Sequence, residues 1–253
     1  MPTRSNTFYG WRPDLPDHRD HAYAAPRKPR AGLPAKVDLR GANMPPVWDQ
    51  GSLGSCTAHA IGAALVFESA KAGKPAFMPS RLMIYFEERE VEGTIESDAG
   101  AEIRDGIKCV KDQGACDEVL WPYDESRFAL KPSSTAYTAA LAHEALSYQR
   151  VGQNHEQLRG CLADGHPFVF GFTVYESFES LAVAKSGSAS LPKRGESAVG
   201  GHAVLAVGYD DARQRYLIRN SWGADWGIKG YFTLPYAYVT NNNLADDFWT
   251  LRV

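Results

Sequence analysis

Apolar and polar residues in the first half of the chain follow the spacing of helices. The segment 55–72 is dominated by small and apolar residues, starts at Ser55, a helix-capping residue type, and stops before Gly73. Four further segments are helix candidates: 80–91, 99–113 behind Asp98, 134–147, and 155–164 between Asn154 and Gly165. The first half is therefore expected to be rich in helices.

The pattern changes in the second half, where short runs of apolar and β-branched residues are separated by turn residues. Strands are predicted over 168–174, 202–209, 215–219 and 231–234. A turn over 210–213 predicts a hairpin, and a Gly- and Ser-rich loop over 186–201 leads into the strand that begins at His202. A helix-rich half followed by a strand-rich half is typical of an α+β fold with two lobes.

The first 36 residues differ from the rest, because they are rich in proline and lack helical periodicity. They predict an extended arm over 1–36, ahead of a compact domain over 37–253. The helical lobe of this domain is expected over about 37–150 and the β-rich lobe over about 151–253. The arm is either a disordered terminus or a segment that packs on the domain. A free tail rarely needs aromatic residues, and this one contains Phe8, Tyr9, Trp11 and Tyr23.

The composition is that of an ordinary globular protein. Of the 253 residues, 44% are hydrophobic and 23% are charged, and the net charge is −3 with a pI near 6.2. This balance does not suggest nucleic acid or an anionic membrane surface as a partner, and no stretch is apolar over the length of a membrane span. Residues 1–10 lack the apolar core of a secretory signal, so we expect a cytoplasmic protein or one exported without such a signal.

The chain has four cysteines, which form neither a CxxC pair nor a zinc-ligand pattern: Cys56, Cys109, Cys116 and Cys161. If Cys56 is a free thiol, an odd number remains, and a disulfide between Cys109 and Cys116 stays open. Four reduced thiols in a reducing compartment are the simpler interpretation.

Cys56 is the first candidate for chemistry. It lies just inside the N-terminus of the predicted helix, after the Gly-rich segment 51–55. A helix N-terminus favours the negative charge of a thiolate, which is the reactive form of cysteine. A cysteine inside a helix is more often a small buried apolar group. The role of Cys56 therefore depends on whether a base lies beside it.

His202 and Asn220 are the candidates for such partners. His202 begins an apolar strand after the glycine-rich loop, so its ring can face a cleft, and Asn220 follows the strand that pairs through the hairpin. An asparagine at this place can accept a hydrogen bond from the imidazole N–H and fix the orientation of the ring. Trp222 can shield that bond from water. Taken alone, each residue is also compatible with a purely structural role.

Together these segments resemble the papain family of cysteine peptidases. Residues 46–56 (PVWDQGSLGSC) resemble the nucleophile segment of the family, 200–204 (GGHAV) the histidine segment, and 220–231 (NSWGADWGIKGY) the asparagine segment. The order matches, and the separation of Cys56 from His202 falls within the roughly 130–150 residues of papain-type peptidases. Weaker matches extend the likeness over about residues 33–253.

The resemblance implies a papain-like α+β fold, with a helical first lobe, a β-barrel-like second lobe and the active-site cleft between them. It implies an endopeptidase in which Cys56 is the nucleophile, held as a thiolate by His202, which is also the acid and base, with Asn220 orienting the imidazole. No metal or organic cofactor is implied. Gln50 and the backbone N–H of Cys56 inherit the oxyanion hole, and Trp222 inherits the shielding of the imidazole.

The implied substrate is a peptide or protein that lies extended between the lobes. By the same resemblance, Gly100 and Ala101 offer a backbone edge to the substrate. The main side-chain pocket is lined by Gly171, Ala203 and Asp246, and Asp246 would favour basic side chains.

Three residues depart from the family pattern. Leu53 stands where the family has a disulfide cysteine, Thr57 stands where it has tryptophan, and His59 is new. His59 is interpreted either as part of a Cys–x–x–His metal pair or as a packed helix histidine. The long helical prodomain of the family has no counterpart, so we expect the arm over 1–32 to lie across the cleft as an intramolecular inhibitor.

Two other functional classes are compatible with these residues. One is a catalytically silent homologue that binds peptides. The other is a different acyl transferase that uses the same thiol, such as a transglutaminase. Asn220 disfavours the second class, which usually has aspartate as the orienting residue.

Overall fold

Helices and a mostly antiparallel sheet form the two lobes, and a computed structural model describes residues 9–25 and 32–253. The first three helices pack on one another and make the helical lobe. The helices are α1 (Cys56–Lys71), α2 (Arg81–Glu92), α3 (Ile103–Asp112), α4 (Ser134–Ala140), α5 (His155–Ala163), α6 (Leu181–Ser186) and α7 (Tyr236–Val239).

The strand lobe is built on one large sheet. The strands are β1 (Trp11–Arg12), β2 (Ala22–Tyr23), β3 (Lys36–Asp38), β4 (Ala101–Glu102), β5 (Ser147–Val151), β6 (Phe168–Tyr175), β7 (Ala198–Asp210), β8 (Arg215–Arg219), β9 (Tyr231–Pro235) and β10 (Ala245–Arg252). The sheet order is β2-β5-β10-β6-β7-β8-β9, β3 pairs with β7, and β1 pairs with β4 separately. Among the strands of the described residues, only the pairs β2–β5 and β1–β4 are parallel. Within the described residues the sheet is open, so the β-barrel-like lobe is not a closed barrel.

The segment predicted as one helix over 99–113 differs from the prediction. It begins as β4 and becomes helical only at Ile103, because Asp98 does not cap it. The Asp98 carboxylate instead accepts hydrogen bonds from the backbone N–H of Gly54 at 3.0 Å and from the hydroxyl of Tyr85. Asp98 therefore fixes the turn that precedes α1.

The boundaries of two other elements also differ from the prediction. The helix predicted over 134–147 ends at Ala140, continues as one 3-10 turn and gives way to β5 at Ser147. The loop predicted over 186–201 is shorter, since β7 already begins at Ala198. The predicted hairpin is confirmed, because β7 and β8 pair antiparallel.

Helix α1 lies between the lobes and is buried along nearly its whole length. Its small residues Ala60, Ala63 and Ala64 allow the core strands to approach closely, and α1 packs on β7. This contact brings the first turn of α1 against the strand that carries His202. The two main candidate residues therefore come from different lobes and meet at their interface.

No helix in the described part of the chain is long and apolar enough to cross a membrane. All four cysteines are buried free thiols, so the disulfide that the sequence left open between Cys109 and Cys116 is not formed.

Candidate active site

Cys56 occupies the first position of α1, and its side chain is fully buried. Its sulfur accepts a hydrogen bond from the backbone N–H of Ala203 at 3.3 Å. The backbones of Gly10 and Thr57 also lie close enough to the sulfur to lower the pKa of the thiol. The thiol therefore lies beside the strand residue that directly follows His202.

His202 and Asn220 are joined by a hydrogen bond. The Nε2 atom of His202 lies 2.8 Å from Oδ1 of Asn220, and Nε2 carries the proton because an amide oxygen only accepts. Trp222 stacks on the imidazole, with ring centroids 4.9 Å apart and planes at 26°. The Nδ1 atom of His202 has no hydrogen-bond partner among the described residues. It is therefore a basic nitrogen with a free lone pair.

Gln50 is fully buried beside these residues. Its Nε2 donates to the carbonyl of Leu53 at 2.8 Å, and its Oε1 accepts from the hydroxyl of Ser221 at 2.6 Å. These partners fix the orientation of the amide, and one hydrogen on Nε2 stays available. The side chain is therefore held rigidly with one N–H donor to offer.

Burial shifts the pKa values of the thiol and the imidazole toward their neutral forms. It raises the pKa of Cys56 to about 11, although hydrogen bonds from the backbones of Ala203 and Gly10 lower it. Burial also lowers the pKa of His202 to about 4, although the hydrogen bond to Asn220 raises it. Burial thus favours the neutral forms of both groups while they are covered, and the thiolate–imidazolium pair implied by the family resemblance stays a prediction.

Residues of the N-terminal arm supply part of this burial. Gly10 packs so closely on Gly54 that an added Cβ would lie 1.6 Å from its carbonyl oxygen. The carbonyl of Gly10 accepts a hydrogen bond from the N–H of Ala101 at 2.7 Å, where the pairing of β1 with β4 begins. The ring of Tyr9 makes an edge contact with that of His202 at 5.9 Å. The arm therefore crosses directly over the thiol and the imidazole.

Trp11 fills a pocket in the strand lobe and is only 8% exposed. Its indole lies so close to Gly171 that an added Cβ there would be 1.9 Å from the ring. The indole N–H donates to Oδ2 of Asp247 at 3.1 Å, and the backbone N–H of Asp14 donates to the same oxygen at 2.8 Å. Asp247 is fully buried and has a φ of 58°, at an irregularity in the pairing of β10 with β6.

The arm is fastened to both lobes. On the helical side, Arg12 forms an ion pair with Glu92 of α2. Further along, the carboxylate of Asp14 accepts hydrogen bonds from the indole of Trp249 at 2.8 Å and from the N–H of Arg104 at 3.1 Å. Strand β2 then pairs with β5 in the large sheet. The described part of the arm thus spans the cleft from one lobe to the other.

Comparison with known proteins agrees with this geometry. The sequence profile described as "Papain family cysteine protease" matches residues 33–248. The chain belongs to the papain family of cysteine proteases. This papain-family chain is 45% identical over 213 residues to an uncharacterized peptidase C1-like protein of Acanthamoeba polyphaga mimivirus, covering 81% of this chain and 68% of that protein. It is 30% identical to pro-cathepsin H of Bos taurus, covering 79% of this chain and 59% of that relative. It therefore spans less than two thirds of the length of pro-cathepsin H.

Solved structures share the fold of this papain-family chain. The crystal structure of xylellain, a cysteine protease from Xylella fastidiosa, matches with a TM-score of 0.92 and 43% identity, covering 100% of this chain and 98% of that one. Digestive procathepsin L 3 from the larval midgut of Tenebrio molitor shares the fold with a TM-score of 0.76 at 19% identity, covering 98% of this chain and 76% of that one. The predicted papain-like α+β fold is therefore confirmed, and the chain is a papain-like cysteine protease of the hydrolase class.

Two departures from the family pattern are explained by packing. Leu53 joins an apolar cluster that includes Cys116, so packing replaces the family disulfide at this position. His59 is 2% exposed and lies between the rings of Trp48 and Tyr123. Within residues 9–25 and 32–253, no three His, Cys, Asp or Glu side chains are arranged to hold a metal ion.

Of the residues predicted to bind substrate, Gly100, Ala101 and Gly171 lie along the path of the arm, whereas Asp246 is partly exposed. Gly100 and Ala101 adjoin β1, while Gly171 lies under Trp11. The Asp246 side chain is 49% exposed and lies 3.0 Å from Arg150.

Sequence reasoning missed three contact residues of this site. Gly10, Asp14 and Asp247 carry no motif that marks them. An aspartate pair at 246–247 was visible, but the irregularity that buries only the second carboxylate is a tertiary feature.

Proposed function

We propose that the chain hydrolyses peptide bonds with Cys56 as nucleophile, His202 as base and acid, and Asn220 as orienting residue. The thiol proton passes to His202, the sulfur attacks the peptide carbonyl carbon, and His202 protonates the leaving amine, so that a thioester remains. His202 then takes a proton from water, and the resulting hydroxide displaces the sulfur. The acid product leaves and the thiol is restored.

Gln50 stabilises the charge that develops on the carbonyl oxygen. Its remaining Nε2 hydrogen and the backbone N–H of Cys56 are the two donors of the proposed oxyanion hole. One preorganised donor of this kind is typically worth about 3–4 kcal/mol of transition-state stabilisation. The hydrogen bonds of Gln50 to Leu53 and Ser221 support this role, because they keep the amide from rotating.

One observation carries the proposal. His202 uses Nε2–H for Asn220 and keeps Nδ1 free, on the strand whose next residue binds the sulfur of Cys56. Buried polar atoms normally have partners, so the free Nδ1 on a fully buried ring leaves a lone pair that can take a proton from a neighbouring group. Trp222 covers the imidazole and keeps water from competing for its bond to Asn220.

Hydrolysis is tested with a peptide library and with an epoxide or vinyl sulfone that alkylates active-site thiols. We expect cleavage and single-site labelling by the full chain once the arm is displaced, and loss of both in Cys56→Ala. Labelling without any cleavage would favour the silent peptide-binding homologue. Transfer of the acyl group to an added amine, with no hydrolysis, would favour the acyl transferase.

We further propose that the arm over 1–32 is an intramolecular inhibitor. The described part of the arm crosses the sulfur, occupies the edge at Ala101 and fills the pocket at Gly171. It also removes water from Cys56 and His202, and burial is the main cause of both pKa shifts. Displacement of the arm lets water reach both groups. Hydration lowers the free-energy cost of the charged forms, so that the thiolate–imidazolium pair can form.

A matched pair of glycine variants tests the inhibition. Gly10→Ala places a methyl group against the carbonyl of Gly54, whereas Gly41 has no neighbouring atom within 4 Å of an added Cβ. We expect faster labelling of Cys56 in Gly10→Ala and an unchanged rate in Gly41→Ala. Equal rates in both variants, together with unchanged activity after deletion of residues 1–32, would contradict inhibition by the arm.

The proposed substrate uses the same edge as the arm. Ala101 donates its N–H to the carbonyl of Gly10 at 2.7 Å, and a peptide carbonyl can take that place. Gly100 has a φ of 70° and an added Cβ there would lie 2.1 Å from the same carbonyl oxygen. A side chain at Gly100 would therefore block the close approach of any peptide backbone.

The proposed side-chain pocket is lined by Gly171 and Ala203, with Asp247 at its end. Arg150 lies 3.0 Å from both Asp246 and Asp247 and partly neutralises them. An apolar side chain with an N–H or O–H donor suits this pocket. The preference of Asp246 for basic residues stays a prediction, and library peptides with Arg, Trp or Leu at this position distinguish the two.

A further inference from the structure

A small cavity lies behind the candidate active site, between α1, the strand that carries His202 and the residues that directly follow β8. Its volume is about 10 Å³, and its walls include Trp48 and His59 on one side and Leu205 and Asn220 on the other. A cavity needs roughly 10–15 Å³ to admit one water molecule. This cavity is therefore at the lower limit for one water and too small for anything larger.

Three side chains that line the cavity each bury a polar atom with no hydrogen-bond partner in the described chain. These atoms are Nε2 of His59, Nδ2 of Asn220 and Nε1 of Trp48. The three residues are 2%, 3% and 9% exposed, respectively. Buried polar groups normally have hydrogen-bond partners, so three unpartnered atoms on residues that line one cavity favour a polar ligand there.

The hydrogen bonds of His59 determine which of its nitrogens is protonated. Nδ1 lies 3.0 Å from the backbone carbonyl of Ser55, and a carbonyl only accepts, so Nδ1 carries the proton. Burial lowers the pKa of His59 to about 3, and the nearby cations Arg81 and Arg219 lower it further, although the backbones of Ser55 and Asp49 raise it. The ring is therefore neutral, and Nε2 is an acceptor.

The amide of Asn220 is oriented just as clearly. Its Oδ1 faces Nε2 of His202 at 2.8 Å and accepts from the backbone N–H of Ser221 at 2.9 Å. Because a backbone N–H only donates, the oxygen must be on this side. Nδ2 therefore points away from the imidazole as a donor.

We propose that one buried water joins these groups. It accepts hydrogen bonds from Nδ2 of Asn220 and Nε1 of Trp48 and donates one to Nε2 of His59. This gives the water three partners, which is typical of buried water in proteins. Two donors and one acceptor match the hydrogen-bonding capacity of a single water, with one hydrogen left for a backbone carbonyl in the wall.

The water makes His59 a positioning residue for Asn220, an inference that rests on the proposed role of Asn220. His59 belongs to α1, which carries Cys56, whereas Asn220 follows β8 in the other lobe. The bridge therefore ties the orienting amide to the helix of the nucleophile. A histidine one turn after Cys56 is the departure from the family pattern that makes this acceptor available.

The water itself is tested in the full chain, in a crystal structure that resolves ordered solvent. We expect a peak within about 2.7–3.2 Å of the three polar atoms. Nitrogen NMR of the wild-type protein is expected to show His59 protonated at Nδ1 only. An empty cavity, or a proton on Nε2 aimed at the backbone of Asp49, would overturn the proposal.

Variants test the positioning. His59→Leu removes the acceptor, whereas His59→Gln retains one in its side-chain oxygen. Phe67→Leu is the control, because Phe67 is buried on the same helix but does not line the cavity. We expect His59→Leu to shift the side-chain amide signals of Asn220 and to lower the titration midpoint of His202.

The readouts separate positioning from a loss of stability. We expect His59→Gln to restore both signals, and Phe67→Leu to lower the melting temperature without moving either. Unchanged Asn220 and His202 signals in His59→Leu would overturn the positioning role. None of these measurements depends on peptide hydrolysis, so their failure is distinguishable from failure of the proposed function.

Discussion

Replacement of Trp11 by alanine is expected to release the arm. Trp11 is 8% exposed, and a tryptophan of this kind buries about 150–250 Å². At about 25 cal/mol per Å² this corresponds to about 4–6 kcal/mol, which is an upper estimate because the free arm already hides some surface. Tryptophan-to-alanine changes typically cost about 3–5 kcal/mol. We therefore expect docking to weaken by at least about 3 kcal/mol, or roughly 100-fold.

The rate at which an epoxide or vinyl sulfone labels Cys56 measures this change. If only the undocked form reacts, the rate is proportional to its population, so Trp11→Ala should react roughly 100-fold faster until undocking is complete. Leu15→Ala is the matched control, because Leu15 belongs to the same arm but is 73% exposed. It is expected to react at the wild-type rate.

Equal labelling rates in Trp11→Ala, Leu15→Ala and the wild type would refute the reasoning. That result would mean that the indole in its pocket contributes little to docking. A melting curve of each variant guards against a different explanation, namely that the whole domain has lost stability.

Three further predictions concern pH, a helix cap and the core. Undocking exposes Asp247, whose pKa is held well above its ordinary value in the docked form by burial and by the neighbouring carboxylate of Asp14; docking is therefore strongest at acidic pH and weakens as pH rises above the ordinary carboxyl pKa of about 4. Hydrogen exchange of the arm checks this, and Asp247→Asn should flatten the dependence. Ser80→Ala removes the cap that accepts the N–H of Met83 at 3.1 Å and should cost about 1 kcal/mol in chemical denaturation. Phe170→Ala empties a fully buried site and should cost about 3–5 kcal/mol, measured as a fall in melting temperature.

The candidate site was predictable because its signals are local. The approach to Cys56 combines glycines with a helix start, and His202 stands at the head of an apolar run. The helix N-cap at Asn154 was also predictable from the sequence, and its side chain accepts a hydrogen bond from the N–H of Gln157 at 3.0 Å. In each of these segments, backbone preference and burial favour the same conformation.

Other features depend on contacts between distant segments. β10 was not predicted, because Asp246 and Asp247 interrupt its apolar pattern. The aromatic residues of the arm predicted packing, but not that Trp11 would meet Gly171. The cavity beside His59 is formed by both lobes and leaves no trace in either segment alone.

The attachment of the arm to both lobes has a consequence for the lifetime of the protein. Arg12 binds to α2 and Trp11 packs in the pocket above Gly171, so the segment that covers the sulfur also holds the two lobes together. Displacement of the arm removes these contacts, so the reactive form of the protein is expected to be less stable to unfolding than the covered form. The covered form would then be the long-lived one. Each activated molecule would persist only until it unfolds or is cleaved by other activated molecules.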